Sequence, residues 1–172
     1  MSGLFNSKEV TLNDARIMTK SQFITKYTSP FLVQVIELKL NQALSRTSVV
    51  RKTVTAEEMM SMQNPKEIKE IFPIIKSGRN SFANKIIVGR APVQDIVINH
   101  ANISKFHAFF SSQDGLNFAI CDHGSTNGSS LNGVRLMDSE PKPLRDGDIV
   151  TFADFSYTYY SSEAAYDFFK GF

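Results

Sequence analysis

Arg90, Ser104, His107, Thr126 and Asn127 are the residues of this chain whose types and order could do chemistry. A phosphate dianion needs donors from several directions and at least one full positive charge. Arg90 offers a two-pronged guanidinium. Ser104 and Thr126 each offer a hydroxyl, and the amide of Asn127 can both donate to and accept from peptide backbone. Gly89, Gly124 and Gly128 stand beside them and permit tight turns and close approach of a ligand chain. Short apolar runs separate these groups: Lys85-Ile-Ile-Val88, Asp95-Ile-Val-Ile98 and Ala108-Phe-Phe110. An arginine at one strand end, hydroxyls at the starts of two other strands, and an Asn-Gly turn can converge on one anion. Such a layout suits a binding module better than a catalyst.

Catalytic and metal chemistry find less support. Ser104 and His107 resemble a nucleophile and its base, but on one strand residues three apart point to opposite faces. No nucleophile elbow and no paired acid accompany them. His100, His107, Asp122 and His123 match no zinc-ligand spacing. No Gly-Lys-Ser/Thr follows a glycine-rich stretch, so a nucleotide-cradling loop is absent. No cofactor, catalytic residue or metal ligand is therefore assigned.

The elements that must position these residues change character near residue 65. Before it, the patterns are mostly helical. Thr11 and Asp14 read as caps ahead of Ala15-Arg-Ile-Met18. Ser21 to Tyr27 reads as a second short helix stopped before Pro30. Phe31 to Leu40 fits a strand by length, yet Leu32, Val35 and Ile36 also fit a helical face. Thr55-Ala-Glu-Glu58 is a capping box opening a helix through Met59, Met60 and Met62. These methionines could line a partner groove or fill a small core.

After residue 70, turn residues punctuate short strands near 71–76, 85–89, 95–98, 105–112, 116–121, 131–134, 148–152 and 155–160. Leu116, Phe118 and Ile120 alternate with Asn117, Ala119 and Cys121, as in a half-buried strand. Many short strands at close spacing predict a mainly β fold, a β-sandwich. Residues 162–169 read as a C-terminal helix capped by Ser162. The division expected is a mostly helical N-terminal extension over 1–65 and a sandwich with a C-terminal helix over 66–172.

Composition adds bounds. The 172 residues suit one ordinary domain with extensions. Nineteen basic against seventeen acidic residues leave +2, too balanced to argue for nucleic acid. Between residues 79 and 107, Arg79, Lys85, Arg90 and Lys105 face Asp95 alone, a mild bias towards an anionic ligand. The single cysteine, Cys121, excludes an internal disulfide and reads as a small core residue in a strand. With no signal-peptide layout and no run long enough to span a bilayer, a cytoplasmic protein is expected.

Taken singly, these motifs are weak: a Gly-Arg ends many strands, and Asn-Gly is an ordinary hairpin turn. Their joint order is specific. Gly89-Arg90, Asp95-Ile-Val-Ile98, Ser104-x-x-His107, Gly124-Ser-Thr-Asn-Gly128, Asn132-Gly133 and the ending Leu144-Arg-Asp-Gly-Asp-Ile-Val-Thr-Phe152 resemble the forkhead-associated (FHA) domain over roughly residues 70–160. The resemblance implies a sandwich of two twisted sheets that binds phosphothreonine peptides on loops at one end.

Carried over, Arg90, Ser104 and Thr126 contact the phosphate, and Asn127 holds the peptide backbone. Lys105 steers or touches the phosphate. Asn102 lies in the loop that often reads the third residue after the phosphothreonine, and being neutral it argues against a strong acidic preference there. His107 supports the loop bearing Ser104. Gly89 and Gly128 are structural, and Asn132 turns the chain beside the site. The implied function is a phosphothreonine-dependent adaptor in Ser/Thr-kinase signalling, similar to small stand-alone bacterial members. Its partner would be a phosphothreonine protein, a kinase or its substrate, with neither nucleic acid nor membrane involved. The competing expectation is a structural protein that docks a constitutive partner without phosphate.

Overall fold

The computed structural model describes residues 7–37 and 66–172. The capping box at 55–58 and the three methionines after it lie outside the described residues. Helices α1 (Ser7–Ile17), α2 (Lys20–Lys26) and α3 (Ser162–Gly171) flank a β-sandwich. The first sheet runs in the order β2 (Lys66–Pro73), β1 (Phe31–Glu37), β11 (Phe155–Tyr160), β10 (Ile149–Phe152), β7 (Ser129–Leu131), β8 (Val134–Arg135). The second runs β4 (Ile96–Val97), β3 (Ile86–Gly89), β5 (Ala108–Ser112), β6 (Phe118–Asp122), β9 (Lys142–Pro143). The protein is mainly β, with helices at both chain ends, as the sequence predicts.

Alternation sorts the side chains between two cores. Leu32, Val88, Ala108, Phe110, Ile120, Val150, Phe152 and Tyr157 meet between the sheets. Phe31, Val33, Ile68 and Ile71 point from the other face of the first sheet to Phe23 of α2 and to Ala165 and Phe169 of α3. Strand β1 is thus buried on both faces, which is why Phe31-Leu32-Val33 gives no alternation to read. It pairs antiparallel with β2 on one side and β11 on the other. The segment before residue 65 therefore contributes a central strand to the sandwich as well as helices.

Local differences from the predicted elements have clear causes. Thr11 and Asp14 lie inside α1 and are not caps. Asp14 Oδ2 instead accepts from Lys26 Nζ at 2.6 Å and Tyr27 Oη at 2.5 Å, tying α1 to the end of α2. Helix α2 is capped by Thr19 and Gln22 in a reciprocal capping box. Helix α3 is capped by Ser161, whose hydroxyl accepts from Ala164 N, while Ser162 Oγ donates to the Tyr27 carbonyl. Leu116 is 77% exposed and precedes β6. The Asp114 carboxylate accepts the Leu116 and Asn117 amides and turns the chain there. Cys121 is buried in β6 and packs with Ile87 and Phe109 in a small cluster apart from the main core.

Candidate functional site

Three loops meet at one end of the sandwich. The first leaves β3 at Arg90, the second spans 98–107 between β4 and β5, and the third spans 123–128 between β6 and β7. The core anchors the second loop through Ile98 and Ile103, 5% and 1% exposed. The stretch 104–107 is not strand; β5 begins at Ala108, because the chain here bends across β3.

Gly89 makes that crossing possible. A Cβ built on it would stand 2.3 Å from the Lys105 carbonyl oxygen, so only glycine admits the backbone of 104–105. Arg90 N then donates to the Ser104 carbonyl at 3.0 Å. The buried amide of Gln94 holds the Lys105 carbonyl at 2.8 Å. Arg90 thus leaves the chain directly beside Ser104.

His107 joins the second loop to the third. The ring is fully buried. Nδ1 accepts from Ser104 N at 3.1 Å, which places the proton on Nε2, 3.2 Å from the Gly128 carbonyl. Burial disfavours the charged ring and outweighs the support of that carbonyl and of Asp122, so the pKa falls below the ordinary value. A neutral ring is the form that can accept from Ser104 N.

Asp122 shapes the third loop. Its Oδ1 accepts Ser125 N at 2.9 Å, and Oδ2 accepts Ser125 Oγ at 2.7 Å and Ser129 Oγ at 2.6 Å. Burial opposes its charge, but these donors and nearby His107 keep its pKa below the ordinary carboxylate value. One carboxylate so fixes both ends of the loop that presents Thr126 and Asn127.

The result is a polar cluster at the surface. Thr126 N donates to Ser104 Oγ at 3.1 Å, and the two hydroxyls stand 3.4 Å apart. Asn127 Nδ2 donates to the Asn102 carbonyl at 2.8 Å. Asn102 Nδ2 in turn donates to Asp154 Oδ2 at 2.6 Å, in the β10–β11 turn. Arg90, Lys105, Thr126 and Asn127 are exposed. Among the described residues, no carboxylate lies within ion-pair distance of Arg90 or Lys105. Hydroxyls and exposed cations on adjoining loops suit an oxyanion.

The family model of the FHA domain matches residues 86–153, the stretch that holds β3 to β10 and all three loops. Residues 86–153 form an FHA domain. Among solved structures, the chain is similar to the FHA domain of a Chlamydia trachomatis protein at 22% identity. That alignment covers 76% of this chain and 96% of the other, at a TM-score of 0.46. An Arabidopsis thaliana FHA domain aligns at 20% identity over 77% and 86%, TM-score 0.47. Yeast Pml1p aligns at 16% identity over 84% and 94%, TM-score 0.47. No curated protein matches.

Within this FHA domain, the structure brings together Gly89, Arg90, Asn102, Ser104, Lys105, His107, Thr126, Asn127 and Gly128. Asn132 stands apart. With Gly133 it forms the two-residue turn of the β7–β8 hairpin, both at positive φ (51° and 79°). Its amide bonds Asp148 Oδ1 and Ile149 N, at the opposite end of β7 from Gly128. The cationic bias read along 79–107 also divides. Lys85 lies over the Phe109 ring at 4.0 Å, and Arg79 donates to the Pro92 and Asp95 carbonyls. The Asp95 carboxylate is fully buried and pairs with Lys76 at 2.9 Å, so it does not offset the rim.

Sequence reasoning missed Asp122, Gln94, Asp154 and Arg135 at this end. Asp122-x-x-Ser125 was the readable sign of a side-chain-to-backbone turn. The other three announce nothing locally. A groove of about 1000 Å³ lies elsewhere, on the outer face of the second sheet, among Lys85, Phe109, Ala119, His123 and Pro143. It holds none of the expected residues.

Proposed function

We propose that this FHA domain binds phosphothreonine peptides at the loop rim and serves as an adaptor downstream of a Ser/Thr kinase. The observation that carries the reading is the Ser104–Thr126 pair beside the backbone of Arg90, with two cations free of carboxylate partners. A phosphorylated threonine brings up to two negative charges and strong acceptor oxygens. Arg90 takes them bidentately, Ser104 Oγ and Thr126 Oγ1 donate, and Lys105 adds attraction. Asn127, with one N–H already given to Asn102, keeps its Oδ1 for ligand backbone. Gly89, His107 and Gly128 hold the loops in register. Helices α1 and α2 back the first sheet.

The hydrogen bonding supports binding over Ser–His turnover. His107 Nδ1 is engaged by the Ser104 amide, not its hydroxyl, so the ring is no base for Ser104. The test is calorimetric titration with one peptide in phosphorylated and unphosphorylated forms, using wild type and Arg90→Ala. The expected affinity for the phosphorylated form is low micromolar, about −8 kcal/mol. Equal affinity for both forms overturns phosphate recognition. Binding indifferent to both the phosphate and Arg90→Ala would instead identify phosphate-independent docking.

A further inference from the structure

Arg135 is a third rim cation that the phosphate site leaves unused. The turn at Asn132-Gly133 folds β8 back along β7, pairing Arg135 with Ser130. Its side chain then reaches Gly128: a Cβ there would stand 2.7 Å from Cζ and Nη2 and 3.1 Å from Nη1. The guanidinium therefore rests on the bare Cα of Gly128, next to Asn127. Arg135 is exposed, and among the described residues no carboxylate lies within ion-pair distance. None of its five N–H donors makes a hydrogen bond within the described structure.

Its place differs from that of Arg90 and Lys105. Those two flank Ser104 on the β3 side. Arg135, on β8, meets the Thr126-Asn127-Gly128 turn at Gly128. Gly128 Cα lies at most about 7.6 Å from Thr126 Cα, and an extended ligand advances about 3.4 Å per residue. Resting on the proposed phosphothreonine site, we propose that Arg135 selects ligands with a carboxylate about two residues from the phosphothreonine. The Asn102 side of the rim cannot supply this preference, because Asn102 is neutral and already held by the Asp154 carboxylate.

The test uses a phosphothreonine peptide set with Asp, Ala or Lys two and three residues away on either side, read by fluorescence anisotropy. Wild type should prefer one Asp peptide over its Ala counterpart by about two- to fivefold, as for an exposed ion pair. Arg135→Gln should bring that ratio to one, and Arg135→Glu should favour the Lys peptide. Ratios within one variant are insensitive to partial unfolding. Phosphate-dependent binding with no Asp preference, or a preference that survives Arg135→Gln, overturns this assignment alone. A wild type indifferent to the phosphate overturns the underlying site as well.

Discussion

At the helix-backed half of the first sheet, Phe23, Phe31 and Phe169 place their ring centres 5.9 to 6.4 Å apart. At the loop rim, the buried groups are a histidine, a carboxylate and an amide: His107, Asp122 and Gln94. The first region is held by apolar area and shape, which act without direction. The second is held by a few hydrogen bonds whose direction fixes where each loop points. The difference separates stability from binding. Aromatic packing holds the helices to the first sheet, whereas the rim uses its buried polar groups for positioning and leaves hydroxyls and cations exposed.

Substitutions in either region should break that division or sharpen it. Phe31→Ala empties the aromatic cluster and should cost about 3–5 kcal/mol in denaturant unfolding. Where the protein remains folded, its phosphopeptide affinity should hold. Arg90→Ala should do the reverse, losing about 2–5 kcal/mol of phosphopeptide binding by calorimetry with little change in Tm. Gly89→Ala should breach the division, because its methyl meets backbone and not a mobile side chain. An overpacking cost of about 1–3 kcal/mol should accompany weaker binding, as the Ser104-Lys105 segment lifts off β3. Unchanged Tm and affinity together would contradict the crossing described here.

The smallest effect is electrostatic. His107 titrates below the ordinary value of 6.5 in the folded protein. Below 6.5 the unfolded chain takes up the proton first. The associated stability is therefore complete above pH 6.5 and is lost as pH falls towards the folded pKa, by at most about 1.4 kcal/mol per pH unit. Ring nitrogen shifts in NMR should show a neutral Nε2–H tautomer at pH 7. An imidazolium at that pH would contradict the bond from Ser104 N.

The same contrast explains what the sequence revealed. The rim residues sit in short motifs between turns, so Gly-Arg, Ser-x-x-His and Ser-Thr-Asn-Gly locate the loops before any coordinates. Strand β1 stayed ambiguous because helices cover the face that usually carries polar alternation. The caps at Ser162 and Asp14 were misplaced because only tertiary contacts, to Tyr27 and to Lys26, decide their roles. Strand β9, two residues with a proline, carries no periodicity at all. Arg135 was invisible because only the hairpin returns it to Gly128.

Chemical-shift mapping with a phosphothreonine peptide would locate the ligand on the surface. Phosphate-dependent shifts are expected in the amides of Arg90, Ser104, Lys105, Thr126 and Asn127. Shifts confined to Phe109, Ser111 and Ala119 on the outer sheet face, or shifts identical with the unphosphorylated peptide, would contradict phosphate recognition at the loop rim.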